Sequence, residues 1–146
     1  MNRKITEQVY LLGKRRSLVA ILTRSGPIAS NRNPAIVILN TGIMHRVGHH
    51  RMYVALSRQL ARIGFNVLRF DFSGIGDSEP CTEGLSPLDS SLADLGEVLD
   101  WLEQERGISQ VVLIGLCSGA DHAILHSHSD PRVVALVLMD PSIPTT

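Results

Sequence analysis

The segment Val111-Val112-Leu113-Ile114-Gly115-Leu116-Cys117-Ser118-Gly119 decides the fold of this chain. Its first four residues form an apolar run that is typical of a buried strand, and a helix-like stretch follows Gly119. A strand that enters a helix through a G-x-nucleophile-x-G turn is a nucleophile elbow, which raises the central side chain on strained backbone. The flanking glycines lack the bulk that would keep strand and helix apart. This register predicts Cys117 as the nucleophile and excludes Ser118 from that role.

The composition indicates one globular domain over residues 1–146. The chain has 146 residues, 44% of them hydrophobic, and a chain of this size buries roughly two thirds of its unfolded surface. Its 14 basic and 14 acidic residues cancel, so no net field attracts nucleic acid or an anionic membrane, and neither is expected as a partner. The polar start, Met1 to Gln8, precedes no apolar segment of the length of a signal peptide or a membrane span, which predicts a cytoplasmic protein. A disulfide between Cys81 and Cys117 is therefore the minor alternative.

The remaining pattern alternates strands with helices. Two apolar runs, 9–12 and 18–22, flank a short polar turn and predict an antiparallel hairpin. After a Gly/Pro/Asn-rich linker, further strands are expected at 35–39, 65–70 and 133–139, and helices at 51–63, 88–106 and 118–127. Such alternation favours an α/β fold, with a mostly parallel sheet and helices on both faces.

Three motifs resemble those of the α/β-hydrolase superfamily. Asn40-Thr41-Gly42-Ile43 is similar to the His-Gly-type segment after the third strand, and Asp71-Phe72-Ser73-Gly74-Ile75-Gly76-Asp77-Ser78 is similar to the D-x-x-G-x-G-x-S loop. Gly115 to Gly119 is the elbow. More narrowly, the stretch Asn40 to Gly48, together with Leu68 to Asp71 and Gly115 to Gly119, is similar to hydrolases encoded beside exosortase and exopolysaccharide systems. The resemblance covers about residues 36–141 and implies an α/β-hydrolase-like fold.

The resemblance also implies that part of the catalytic machinery has no counterpart in this sequence. In this fold the acid and the histidine both lie well downstream of the nucleophile, whereas 27 residues follow Gly119. The domain is therefore expected to be incomplete at the C-terminus, truncated before the last strands, either as a fragment of a longer reading frame or as a shortened relative. In both cases the catalytic triad of nucleophile, acid and histidine is incomplete within these residues.

Cys117 has a chemical reason to act as a nucleophile. The backbone N–H groups and the dipole of the helix that begins beside it favour a thiolate, which attacks a carbonyl with less help than a serine hydroxyl needs. The resemblance implies an oxyanion hole formed by the backbone N–H groups of Ile43 and Ser118. The alternatives are a small apolar side chain in a tight turn for Cys117 and an ordinary glycine turn for Gly42.

The loop after the third strand is rich in histidine and arginine. His45 is the best candidate there for a substitute base or an anion contact. The H-x-x-x-H-H string from His45 to His50 is a weak metal pattern because no acidic partner is expected nearby, so no metal and no cofactor are predicted.

Other residues are weaker candidates for a catalytic role. The histidines His122, His126 and His128 lie on or just past a helix that leads away from the elbow, so surface positions are predicted for them. Asp140 follows the last strand, where a few members of the fold place the triad acid, but Asp-Pro is also common in turns.

A dinucleotide site is a weak alternative for the loop that begins at Asp71. The Gly74-Ile75-Gly76 stretch lacks the third glycine of the dinucleotide motif, and Asp77 would repel a pyrophosphate. A tight turn in which Asp71 and Ser78 satisfy local backbone groups is favoured instead.

Together the motifs favour an enzyme that acts on an ester or thioester through an acyl-enzyme at Cys117, with a small-molecule acyl substrate. The alternative is a catalytically incomplete hydrolase-like scaffold that binds a small acyl ligand or a partner protein, and a nucleotide-binding Rossmann-type domain is a third. The apolar strand 133–139 carries no charge or proline, and we expect it to be an exposed edge that pairs with another chain. A homo-oligomer through this strand is therefore predicted.

Overall fold

The structure, a computed structural model, describes residues 4–26 and 33–142. The described part contains strands β1 (Ile5–Leu12), β2 (Leu18–Ser25), β3 (Ala35–Ile38), β4 (Val67–Phe70), β5 (Val111–Leu116) and β6 (Val133–Met139). Its α-helices are α1 (Met52–Arg62), α2 (Pro87–Arg106) and α3 (Ser118–Ser127), and a short 3-10 turn, His49–Arg51, precedes α1. The middle of the predicted linker, 27–32, lies outside the described residues, as do 1–3 and 143–146.

The strands form one sheet in the order β1-β2-β4-β3-β5-β6. β1 and β2 pair antiparallel, from Ile5 opposite Ser25 to Leu12 opposite Leu18, which confirms the predicted hairpin. β2 is also antiparallel to β4, whereas β4, β3, β5 and β6 run parallel to one another. The hairpin strands extend beyond their apolar runs because backbone pairing continues through polar residues. The predicted α/β fold with a mostly parallel sheet is confirmed.

Helices cover both faces of this sheet. Residues of β3 alternate between two apolar clusters: Val37 contributes to the cluster that contains the buried leucines of α2, and Ile38 contributes to the cluster that contains Tyr53 of α1. Since successive side chains of a strand point to opposite faces, α1 covers one face and α2 with α3 covers the other. Among the helices in the described ranges, none has both the length and the apolar composition needed to cross a bilayer.

β6 lies at one edge of the sheet. Of the strands in the described part of the chain, it pairs with β5 alone. Its Val134 and Val137 side chains are 48% and 46% exposed. The strand is therefore an apolar edge, as predicted, while the oligomer expected from it stays a prediction.

Candidate active site

The turn between β5 and α3 carries Cys117 at its tip. Cys117 is exposed and has a φ of 54° and a ψ of −121°, a region that residues with a side chain rarely adopt. Its N–H donates to the Met139 carbonyl at 2.9 Å, and its own carbonyl accepts from the Ala120 N–H at 2.9 Å. Hydrogen bonds to β6 and within α3 thus hold the strained turn in place beneath the thiol.

The two elbow glycines let β5 and α3 approach closely. A Cβ on Gly115 would overlap the backbone of Gly119, and a Cβ on Gly119 would lie 2.5 Å from the carbonyl oxygen of Asn40. Any larger residue would therefore separate the strand, the helix and the loop that follows β3. Through Gly119, the start of α3 lies directly against the residue where that loop begins.

The loop after β3 reaches the elbow through Gly42. Gly42 has a φ of 53°, and its N–H donates to Ser118 Oγ at 2.7 Å. The next residue, Ile43, has a side chain that is 93% exposed. The fold therefore brings the segment that carries Ile43 against the start of α3, next to Cys117. The roles of the Ile43 and Ser118 N–H groups as an oxyanion hole stay a prediction.

A buried carboxylate holds this loop in place. Asp71, which directly follows β4, is fully buried and accepts hydrogen bonds from the backbone N–H groups of Arg46 at 2.7 Å and Asp77 at 3.2 Å. It also accepts from the Arg46 guanidinium and from Asn40 Nδ2. The expectation that no acidic residue lies near the His/Arg loop is therefore wrong. Because β3 and β4 are adjacent and parallel, their carboxyl ends bring Asp71 beside Arg46.

The charged side chain of Arg46 connects the loop after β3 with the loop after β4. Its guanidinium also donates to Asp77 at 2.8 Å. Burial alone would lower the pKa of Arg46, but the hydrogen bonds to Asp77 and Asp71 outweigh it and raise that pKa above its ordinary value. The uncharged side chain of Asn40 also connects the two loops. Its Nδ2 donates to the Met44 carbonyl at 2.9 Å, and its Oδ1 accepts from the Phe72 N–H at 2.8 Å.

The glycine-rich turn after β4 closes around Asp71. A Cβ on Gly76 would overlap the Asp71 carboxylate, so glycine at this position makes room for the carboxylate. Ser78 Oγ donates to the Asp71 carbonyl at 2.7 Å and accepts from the Val19 N–H at 2.9 Å. The predicted tight turn, in which these side chains satisfy backbone groups, is confirmed.

The two accessory candidates, Asp140 and His45, lie in different loops. Asp140 directly follows Met139, whose carbonyl binds the Cys117 N–H, so Asp140 shares the carboxyl edge of the sheet with Cys117. Its φ of 50° marks a tight turn there. His45 is exposed, and its carbonyl accepts from the Gly48 N–H at 3.1 Å. Catalytic roles for Asp140 and His45 stay predictions.

The expected surface position is wrong for two of the three histidines associated with α3. His122 is half-buried, with its ring centroid 5.2 Å from that of Phe72, and burial lowers its pKa. His126 has a side chain that is 10% exposed and bonds Asp130 at 3.0 Å. His128 is exposed, as expected. The prediction considered α3 alone, whereas the helix packs against α2 and β6.

The described residues contain neither a disulfide nor a cluster of potential metal ligands. Cys81 and Cys117 are both free thiols. Within 4–26 and 33–142, no group of three or more His, Cys, Asp or Glu side chains is arranged to hold a metal ion. The elbow itself carries the exposed thiol of Cys117 and, next to it, the hydroxyl of Ser118.

A protein family and a human protein are similar in sequence to this chain. The family described as "Serine aminopeptidase, S33" matches residues 32–145. The human Protein ABHD12B is 38% identical over 85 residues, which are 57% of this chain and 21% of that protein.

Solved structures of proteins longer than this chain are similar to it in fold. The hypothetical protein PA2218 from Pseudomonas aeruginosa has a TM-score of 0.75 at 21% identity, over 97% of this chain and 44% of its own. The Pyrococcus furiosus esterase Pf2001 has a TM-score of 0.67 at 20% identity, over 95% and 52%. An alpha-beta serine hydrolase homologue from Coxiella burnetii has a TM-score of 0.68 at 21% identity, over 90% and 61%. The chain spans less than two thirds of the length of each of these proteins.

Proposed function

Because the chain belongs to the serine aminopeptidase family of α/β-hydrolases, we propose that it acts on an ester or thioester by forming an acyl-enzyme at Cys117. The observation that carries the proposal is the position of this thiol, exposed at the tip of a strained strand-to-helix turn and at the N-terminus of α3. The family is named for serine chemistry, whereas cysteine stands at the centre of the turn here. A cysteine at a helix N-terminus is intrinsically the stronger nucleophile of the two.

The proposed first step is acyl transfer to sulfur. The Cys117 thiolate attacks the carbonyl carbon of the substrate, and the carbonyl oxygen becomes an oxyanion that the N–H groups of Ile43 and Ser118 stabilise. Collapse of this intermediate breaks the bond to the leaving alcohol or thiol, which takes a proton from solvent. The product is a thioester at Cys117.

The second step, hydrolysis, needs a base that activates water. The α3 histidines support no such role, since His122 packs on Phe72 and His126 lies in the last turn of α3, at the opposite end of the helix from Cys117. His45 and Asp140 are the remaining accessory groups, neither of which the structure bonds to Cys117. We therefore expect acylation to be faster than deacylation in this chain.

The subfamily of the chain and its cellular location are two further parts of the proposal. We propose that the chain belongs to the hydrolases encoded beside exosortase and exopolysaccharide systems, on the sequence similarity of Asn40 to Gly48, Leu68 to Asp71 and Gly115 to Gly119. A cytoplasmic location, where thiols stay reduced, suits a cysteine nucleophile.

The experiment that tests the proposal is burst kinetics with p-nitrophenyl acetate. We expect about one equivalent of nitrophenolate to be released rapidly, followed by slow turnover, and mass spectrometry to locate the acetyl group on Cys117. Cys117→Ala removes the burst, and Cys81→Ala keeps it. A burst that survives Cys117→Ala, or none in the parent chain, overturns the proposal. Binding of an acyl ligand without acylation would instead support the non-catalytic scaffold.

A further inference from the structure

A groove runs from the elbow along one side of α3. It has a volume of about 360 Å³ and is lined by α3, by Leu88 at the start of α2 and by Ser142 beyond β6. This volume lies within the range of small-molecule sites, roughly 300 to 1,000 Å³. Among the residues that line it, Ser118 directly follows Cys117 in the chain and binds the Gly42 N–H through its hydroxyl. One end of the groove therefore lies at the residue next to Cys117, while Cys117 itself is not among the residues that line it.

The helical spacing gives the groove a direction. Ser118, Asp121, His122 and Leu125 lie three, four and seven positions apart and so share one face of α3. With a rise of about 1.5 Å per residue, Leu125 lies about 10 Å further along the helix axis than Ser118. Anything held in the groove thus extends away from Cys117 over roughly two helical turns.

Much of the lining of the groove is aliphatic. Leu88, Ile124 and Leu125 are 43%, 38% and 48% exposed, although each is a residue type that folding normally buries. Their side chains line the groove at its walls. Filling the groove with hydrocarbon would remove this apolar surface from water, which favours binding of an alkyl chain.

The polar groups of the groove are already engaged or uncharged. Asp121 accepts the Ser142 N–H at 2.7 Å, and burial lowers the pKa of His122, which disfavours a positive charge on its ring. None of the described residues that line the groove is lysine or arginine. A tail that ends in a carboxylate or phosphate would therefore lose its hydration without gaining a cation.

We propose that this groove receives the aliphatic tail of the acyl group carried by Cys117, so that the substrates are esters or thioesters of uncharged, medium-length fatty acyl chains. The inference rests on the proposed acylation of Cys117. It adds what the elbow alone does not provide, a preference for the length and the polarity of the acyl chain.

The first test compares acylation rates along a series of esters. The burst rate constants of p-nitrophenyl acetate, butyrate and octanoate are each divided by the rate of the same ester with a small free thiol, which removes intrinsic reactivity. We expect octanoate to exceed acetate by tenfold or more, about 1.4 kcal/mol. Leu125→Gln lowers the octanoate rate about tenfold and leaves the acetate rate within about twofold. Leu11→Gln is the matched control, because Leu11 is also 48% exposed but lies in β1, and it changes neither rate.

The second test does not depend on the reaction. Octanamide is titrated into the Cys117→Ala variant, and the methyl NMR signals are followed. We expect shifts at Leu88, Ile124 and Leu125, no shifts with acetamide, and weaker binding of the octanoate anion than of the amide.

The two tests separate the inference from the proposed function. If no ester acylates Cys117 but octanamide shifts the groove methyls, the proposed function fails and the groove stands as a binding site for alkyl chains. If all esters acylate Cys117 at equal normalised rates and octanamide shifts no groove methyl, the groove inference is overturned and the acylation stands. Equal loss of acetate and octanoate rates in Leu125→Gln also counts against the groove.

Discussion

Arg46 binds the Asp71 carboxylate twice, with its backbone N–H on Oδ1 at 2.7 Å and with its guanidinium on Oδ2. The first residue lies in the loop after β3 and the second directly follows β4, so the contact ties together two loops at the carboxyl edge of the sheet. Gly42, which touches Ser118 at the elbow, lies in the first of these loops. The geometry around Cys117 therefore depends on a buried ion pair formed by residues outside the elbow.

Replacement of Arg46 by methionine tests the energetic weight of this pair. Arg46→Met leaves the Asp71 carboxylate buried without its cation, which typically costs roughly 3 to 5 kcal/mol of unfolding free energy. Urea denaturation measures the change. Asp77→Asn is the control, since the Asp77 side chain is 71% exposed and its loss is expected to cost less than about 1 kcal/mol. Equal losses in the two variants would contradict the assigned role of Asp71.

Two glycines of one turn form a second matched pair. Gly76 has a φ of 54° and leaves no room for a Cβ beside Asp71, whereas Gly74 has a φ of 79° and no atom within 4 Å of a Cβ. Gly74→Ala is expected to cost about 1 to 2 kcal/mol from its left-handed backbone alone. Gly76→Ala should cost a further 1 to 3 kcal/mol or so, since the added methyl overpacks the site. Urea denaturation of both variants gives the difference, and a cost no larger at Gly76 would refute the steric argument.

The buried ring of His122 predicts a pH-dependent loss of stability. Burial lowers its pKa in the folded protein below the ordinary 6.5, so the unfolded chain binds the proton more readily as the pH falls below that value. The free energy of unfolding should therefore decrease from about pH 8 to about pH 5, the range in which histidine changes charge. His122→Phe, which keeps a ring against Phe72, should reduce this slope, and His128→Phe at an exposed position should not. Identical slopes in the parent chain and in His122→Phe would contradict the prediction.

The two thiols should differ in reactivity. Cys117 is exposed at the tip of the turn between β5 and α3, whereas Cys81 is only partly exposed in a loop. A short pulse of iodoacetamide at neutral pH should therefore label Cys117 faster, as measured by mass spectrometry of the digested protein. Equal or slower labelling of Cys117 would make it a structural thiol.

The apolar edge at β6 predicts self-association. Its free backbone N–H and C=O groups can pair with the same strand of a second copy, and Val137 is 46% exposed there. We expect light scattering to show a dimer or larger species that Val137→Lys shifts toward the monomer. Val9→Lys, on the opposite edge strand and at a position that is 62% exposed, should leave the species unchanged. A monodisperse parent monomer would contradict this expectation.

The sequence predicted those features whose signals are local. The bounds of β6 and α3 agree with the expected 133–139 and 118–127, because an apolar run and a glycine-flanked turn each identify themselves within a few residues. The residues expected around the elbow, Gly42 and Asp140 among them, do come to one edge of the sheet, since each follows a parallel strand.

Contacts between distant segments were not predictable in the same way. Asp71 could not be assigned to Arg46 from the sequence, because their contact depends on β4 lying beside β3, and nothing in either loop specifies that order. The burial of His122 depends likewise on Phe72, which belongs to a different loop. If the strand order had been known, the presence of an Asp and an Arg after two adjacent parallel strands would have indicated this contact.

The position of β3 between β4 and β5 also bears on how the chain folds. The hairpin partners β1 and β2 are close neighbours in sequence, but Ala35 of β3 pairs with Val111 of β5. Closing so long a loop costs entropy that the new contacts repay only afterwards. On the ribosome the hairpin can therefore form early, while β3, whose residues are all buried, can pair with β4 but completes its pairing only after α2 and β5 emerge. Folding of this chain should be slow and non-local at its centre, and nascent β3 is the segment that a chaperone would protect.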